Sequence, residues 1–144
     1  MIRYFVIGSL LLSIGACLNP PEYSVIPSIK LDSISTTNII PNKDSLKFYI
    51  SFTDGDGDIG SDTDPNLFIT DSRTGTPGGN KIPDITPDGK VKEISGQIVF
   101  TLSEIDSIKD GVRDSIYYTY SIQIQDRAGN LSNTVVTPVI FEHY

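Results

Sequence analysis

Residues 46–53 set the frame of this chain. Leu46, Phe48, Ile50 and Phe52 alternate with Lys47, Tyr49, Ser51 and Thr53. Period-two alternation places the two sets on opposite faces of a strand, with one face buried. Residues 115–125 repeat the pattern. Ile116, Tyr118, Tyr120, Ile122 and Ile124 share one face, and Ser115, Tyr117, Thr119, Ser121, Gln123 and Gln125 share the other. Weaker runs predict further strands at 25–35, 66–72, 91–94, 97–102 and 131–141. Pro27 and Pro138 confine the first and last of these to edges or bulges, because proline brings no N–H to a ladder. Gly96 marks a break or a bulge between 91–94 and 97–102. Residues 36–44 read as a turn. Ser103-Glu104-Ile105-Asp106 has capping-box spacing and predicts one helical turn closing near Gly111. Residues 73–90, with Gly75, Pro77, Gly78, Gly79, Pro83, Pro87 and Gly89, read as one long loop of the kind used for binding, pinned by Ile82 and Ile85. Seven short strands parted by turn signals predict an all-β fold, an antiparallel sandwich.

Composition agrees. Beyond residue 16 a single Ala remains, Ala128, with no Met and no Trp, while Ile, Val, Thr, Tyr and Phe are plentiful. That balance favours strands. The 144 residues suit one domain.

The first residues read as an address. Met1-Ile2-Arg3 is a short positive start, and residues 4–14 are almost all apolar. Eleven residues of helix span about 16 Å, short of the roughly 30 Å hydrocarbon core, so the run predicts a secretory signal and not a spanning helix. Its end, Leu12-Ser13-Ile14-Gly15-Ala16-Cys17, resembles the lipobox of bacterial lipoproteins. The resemblance implies cleavage before Cys17, acylation of Cys17, and anchoring to a membrane through lipid; the other reading is an ordinary signal with an incidental thiol. Leu18 follows the cysteine where an Asp would favour inner-membrane retention, which implies the outer membrane, with the side the domain faces left open. Residues 1–16 are thus the signal, 17–24 the lipidated cysteine and a linker stiffened by Pro20-Pro21, and 25–144 the domain.

The segment Tyr118-x-Tyr120-x-Ile122-x-Ile124-x-Asp126-x-Ala128-Gly129-Asn130-x-Ser132 is similar to the penultimate strand and following turn of fibronectin-III-like and bacterial Ig-like domains. Phe52 to Gly60 resembles a motif of short bacterial Ig-like lipoproteins. The resemblance implies an Ig-like β-sandwich of about seven strands. The cysteine pair and core tryptophan of antibody domains are absent, which excludes only that subtype.

The chemistry concentrates in Asp54-Gly55-Asp56-Gly57-Asp58-Ile59-Gly60, with Asp62 and Asp64 behind it: five carboxylates in eleven residues. Alternating Asp and Gly let a chain curl so that several oxygens face one centre, and Ca²⁺ takes six to eight oxygens. In a sandwich of this kind the loop 54–65 and the turn 126–130 lie at the same end, so Asp126 can join the set. An EF-hand is excluded. Counted from Asp54, the sixth position is Ile59 where Gly belongs, and the twelfth is Pro65 where Glu belongs. The competing reading is a solvated turn, since Asp and Gly are ordinary turn residues; Asp126 and Asn130 likewise suit a simple turn.

Charge and residue inventory narrow the function. The formal net charge is −7, and −8 once Arg3 leaves with residues 1–16, ten basic side chains then facing eighteen acidic ones. No basic run offers phosphate neutralisation, so nucleic acid is excluded as a partner. The sole histidine, His143, is one residue from the C-terminus, and the sole cysteine is Cys17. No nucleophile elbow, phosphate loop or histidine cluster appears, so the expectation is not an enzyme. What remains is a lipid-anchored structural or accessory envelope protein with Ca²⁺ stiffening its exposed end. The alternative is a glycan- or protein-binding module using the acidic loop and the 73–90 loop, with Tyr49 and Tyr117 on a contact face.

Overall fold

The computed structural model describes residues 22–85, 92–103, 105 and 115–143. Cys17, the expected signal segment and most of the expected helical turn after Ser103 lie outside those residues. Among the described residues the secondary structure is all β, in ten strands. In chain order they are β1 (Ser28–Ile34), β2 (Asn38–Ile39), β3 (Leu46–Asp54), β4 (Leu67–Asp71), β5 (Pro77–Asn80), β6 (Ile94–Leu102), β7 (Ser115–Tyr118), β8 (Tyr120–Ile124), β9 (Val135–Val136) and β10 (Ile140–His143).

One layer is β1-β3-β6, antiparallel, with β3 in the middle. The other layer has the orders β5-β4-β8-β9 and β2-β10-β7. Its pairs are antiparallel except β2 with β10, which run parallel. The layers meet through their inward alternating positions. Phe48 of β3 packs edge-on against Tyr120 of β8, with ring centroids 5.8 Å apart. Leu46, Phe48, Ile50, Ile122 and Ile124 are fully buried. The two alternating stretches in the sequence are therefore the two central inner faces of a β-sandwich.

The count departs from seven for identifiable reasons. Residues 94–102 form one unbroken strand: Gly96 pairs with Phe52 in the ladder. A Cβ there would lie 3.1 Å from the Phe52 ring, so Gly96 makes room for a side chain and does not end a strand. The stretch 115–125 divides at Thr119, with β7 pairing to β10 and β8 to β4. The stretch 131–141 divides around Pro138, and the irregular Thr137 still satisfies Tyr120, accepting from its N–H at 3.0 Å and donating to its carbonyl at 2.9 Å. β2, at two residues, is too short for a pattern. β5 reads Pro-Gly-Gly-Asn and is held by backbone bonds alone to β4. It occupies part of the expected 73–90 loop. Ile82 pins the return of that segment and is buried, whereas Ile85 is exposed. Pro27 precedes β1 and is buried.

At the end away from the acidic loop, a buried ionic cluster joins β10 to the turn after β4. Arg73 donates from Nε to both oxygens of Asp71, at 3.0 and 2.9 Å, and from Nη1 to Glu142 Oε2. The guanidinium also lies 3.8 Å from the centroid of the Tyr118 ring. Glu142 is fully buried.

Candidate metal centre

The acidic site is where the two inner faces run out. Leu46, Phe48, Ile50 and Phe52 point inward from β3, and Asp54 is the next position in phase. Tyr120, Ile122 and Ile124 point inward from β8, and Asp126 is the next in phase. Two carboxylates thus continue two hydrophobic stripes, one from each layer, and both are buried. Asp54 is 0% exposed.

The loop between them curls to add two more. Gly57 has φ +73°, a left-handed conformation that costs glycine little, and it reverses the chain between Asp56 and Asp58. Ile59 then plugs the end of the core, fully buried, and forms an antiparallel bridge with Asp126. Asp54, Asp56, Asp58 and Asp126 each present an oxygen, and these four oxygens lie within 4.8 Å of one another.

Carboxylate oxygens of Asp54, Asp58 and Asp126 also hold the loops. Asp54 Oδ2 accepts the Asp58 N–H at 2.9 Å, and Asp58 Oδ2 accepts the Ala128 N–H at 3.0 Å. The Asp58 carbonyl accepts the Arg127 N–H at 3.2 Å. Asp126 accepts from the Asn130 backbone at 2.7 Å and from Asn130 Nδ2 at 2.8 Å. In contrast, Asp54 Oδ1 and Asp58 Oδ1 are buried with no hydrogen-bond donor. A buried acceptor without a donor costs about 1–3 kcal/mol, and more when it is charged. The group of four carboxylates to which both residues belong could hold a metal ion.

Burial, with the charges of Asp56, Asp58 and Asp126 adding to it, pushes Asp54 up to about 6. Burial and the charges of Asp126 and Asp56 likewise push Asp58 above the usual carboxylate range. A carboxyl whose folded pKa is raised stabilises the fold below its unfolded value and loses that contribution as pH climbs through the folded value. The ion-free protein is therefore expected to melt at higher temperature at pH 5 than at pH 7. Saturating cation should flatten or invert this slope, because protons then compete with the ion. Scanning calorimetry at both pH values, with chelator and with cation, checks it.

Of the six acidic residues expected to ligate, four come together. Asp62 and Asp64 lie outside the group and are exposed. Asp62 Oδ1 accepts the Asp84 N–H at 3.3 Å, and Asp64 Oδ2 accepts the Thr63 hydroxyl at 2.7 Å. After Ile59 has entered the core the chain turns away from the centre, so proximity in sequence does not bring these two back. Asn130 serves as a support for Asp126, and the left-handed position of that turn is Gly129, at φ +92°. Sequence reading missed Asn66, which is buried and holds the loop base through both of its amide atoms, accepting from Ile82 N–H at 2.6 Å and donating to its carbonyl at 2.9 Å. An Asn directly before a strand and after a proline was the available signal.

Beside the centre lies a hollow of about 430 Å³, lined by Ser61, Thr63, Asp64, Asn66, Gln125 and Arg127. The expected aromatic contact face is divided. Tyr49 is half-buried, while Tyr117 is 70% exposed and packs on Phe141, at 4.7 Å, away from the acidic loop.

Comparison with known proteins gives no matching family model, no matching curated protein and no matching solved structure.

Proposed function

We propose that this chain is a lipid-anchored, non-catalytic envelope protein whose β-sandwich is completed by one Ca²⁺ held by Asp54, Asp56, Asp58 and Asp126. The observation that carries this reading is the fully buried Asp54, whose Oδ1 has no donor and whose carboxylate stands in a group with three others. The four carboxylate oxygens lie within 4.8 Å of one another, close enough to share one ion, and flexible loop carboxylates suit the irregular coordination of Ca²⁺. An all-oxygen donor set also suits a hard cation. Acylation of Cys17, residence in the outer membrane and a structural or accessory role rest on the N-terminal pattern, the acidic charge and the absence from the sequence of any nucleophile–base motif.

Extracellular Ca²⁺ modules have Kd values of about 10⁻⁴–10⁻³ M. At 10 mM Ca²⁺ such a site contributes roughly 1.5–3 kcal/mol, a melting shift of about 5–10 °C for a domain of this size. Calorimetric titration and thermal melts check this. Absence of both heat and melting shift sinks the reading. Asp62→Asn and Asp64→Asn are expected to leave the titration unchanged.

A further inference from the structure

The N-terminal segment joins the domain at the acidic end, and the two loops that carry the carboxylates hold it. The Gly55 N–H, between Asp54 and Asp56, donates to the Ser24 carbonyl at 2.8 Å. The approach is so close that a Cβ on Gly55 would lie 2.3 Å from the Tyr23 carbonyl oxygen and 2.9 Å from that of Ser24. From the other loop, Asn130 Nδ2 reaches the Val25 carbonyl at 3.5 Å while the same amide donates to Asp126. The Glu93 N–H closes the arrangement on the Gly55 carbonyl at 3.0 Å. Residues 23–25 precede β1 and belong to no strand, so these contacts are what fix them.

Each contact is one bond away from a carboxylate of the centre. Without a cation, four negative charges within 4.8 Å repel one another and spread the loops that carry Gly55 and Asn130. With a cation the loops draw together around residues 23–25. We propose that the metal centre is a joint: the bound cation clamps residues 23–25 to the domain, and its loss frees them. This rests on the cation reading above and adds to it a coupling between that site and the tether. Five residues lie between Cys17 and Tyr23, a reach of at most about 22 Å. With Cys17 acylated, the metal-bearing end is the end at which the anchor enters the domain, and the cation sets how firmly that entry is held. On this proposal the centre stiffens the attached end of the domain, where the sequence reading put a stiffener at the exposed end.

Limited chymotrypsin digestion of the full chain, with chelator and with 10 mM Ca²⁺, tests the coupling through cleavage after Tyr23, because residues 23–25 meet the loops through their carbonyls. That cleavage is expected to be at least about tenfold slower with Ca²⁺. Gly55→Ala, whose Cβ collides with the segment, should leave the cleavage fast in Ca²⁺ while the calcium-dependent melting shift persists. Asn130→Ala, which removes the second contact, should give an intermediate rate. Unchanged cleavage after Tyr23 alongside a full melting shift overturns the joint and leaves the cation site standing. Absence of the melting shift in the unmutated chain overturns both.

Discussion

Asp54→Asn is expected to abolish the rise in melting temperature with calcium while leaving the ion-free protein at least as stable as the unmutated chain. Asp54 is buried at the end of β3, and its Oδ1 has no donor. Beyond the Asp58 N–H that Oδ2 accepts, its negative charge has no partner unless a cation is present. Replacing one oxygen by an amide nitrogen removes a ligand and a charge from a set of four, and Ca²⁺ affinity follows ligand charge count. The expected loss is at least roughly 100-fold in Kd, beyond the range seen when supporting residues around a metal are removed. In the ion-free state the same change relieves a buried charge that burial and three neighbouring carboxylates already disfavour. The amide also supplies donors to oxygens that lack them. The two signs together separate a ligand from a structural carboxylate, because a purely structural Asp54 would lose stability in both states. Thermal melts of the two proteins in chelator and in 10 mM Ca²⁺ give the four values needed.

Arg73→Met should cost about 3–5 kcal/mol in urea unfolding, a large fraction of what holds a domain of this size together. Arg73 is nearly buried, and it neutralises Glu142, whose side chain is 0% exposed, together with Asp71. Removing the cation leaves Glu142 charged in the interior, where the desolvation of an unpaired charge is costly. It also removes the cation–π contact with Tyr118. The double change Arg73→Met with Glu142→Met is expected to recover most of the loss, because apolar side chains of similar volume replace a buried pair at little net cost. A double variant as unstable as the single one would mean that the cluster acts through its hydrogen bonds to the turn after β4, and not through charge compensation. The cluster ties β10, the middle strand of β2-β10-β7, to that turn, so its loss should loosen those three strands first.

The two dominant strands were legible because each buries one face only. Alternation over residues 46–54 and 116–124 leaves no second way to seat Phe48, Ile50, Ile122 and Ile124. The alternation even reached into the site, since Asp54 and Asp126 occupy the next inward positions of both stripes. The segments that were misread share a cause. β5 has no side-chain pattern, since its Pro-Gly-Gly-Asn sequence is recruited to an edge by backbone bonds from β4. Gly96 looks like a break in one dimension, and in three it is the space that the Phe52 ring occupies. The ionic cluster joins Asp71, Arg73 and Glu142 across about seventy positions and has no local signature.

By itself the sequence determined the strand-rich architecture, the inner faces and the concentration of carboxylates at one strand exit, because these follow from local alternation and composition. Only the tertiary structure decided which carboxylates meet. Asp126 joins Asp54, Asp56 and Asp58 because the layers bring two strand ends together, while Asp62 and Asp64 turn outward once Ile59 is buried. It also decided that the segment leading in from the N-terminus lies against that centre, a contact set by the packing of Gly55 and Asn130 around residues 23–25 and by no pattern in the chain.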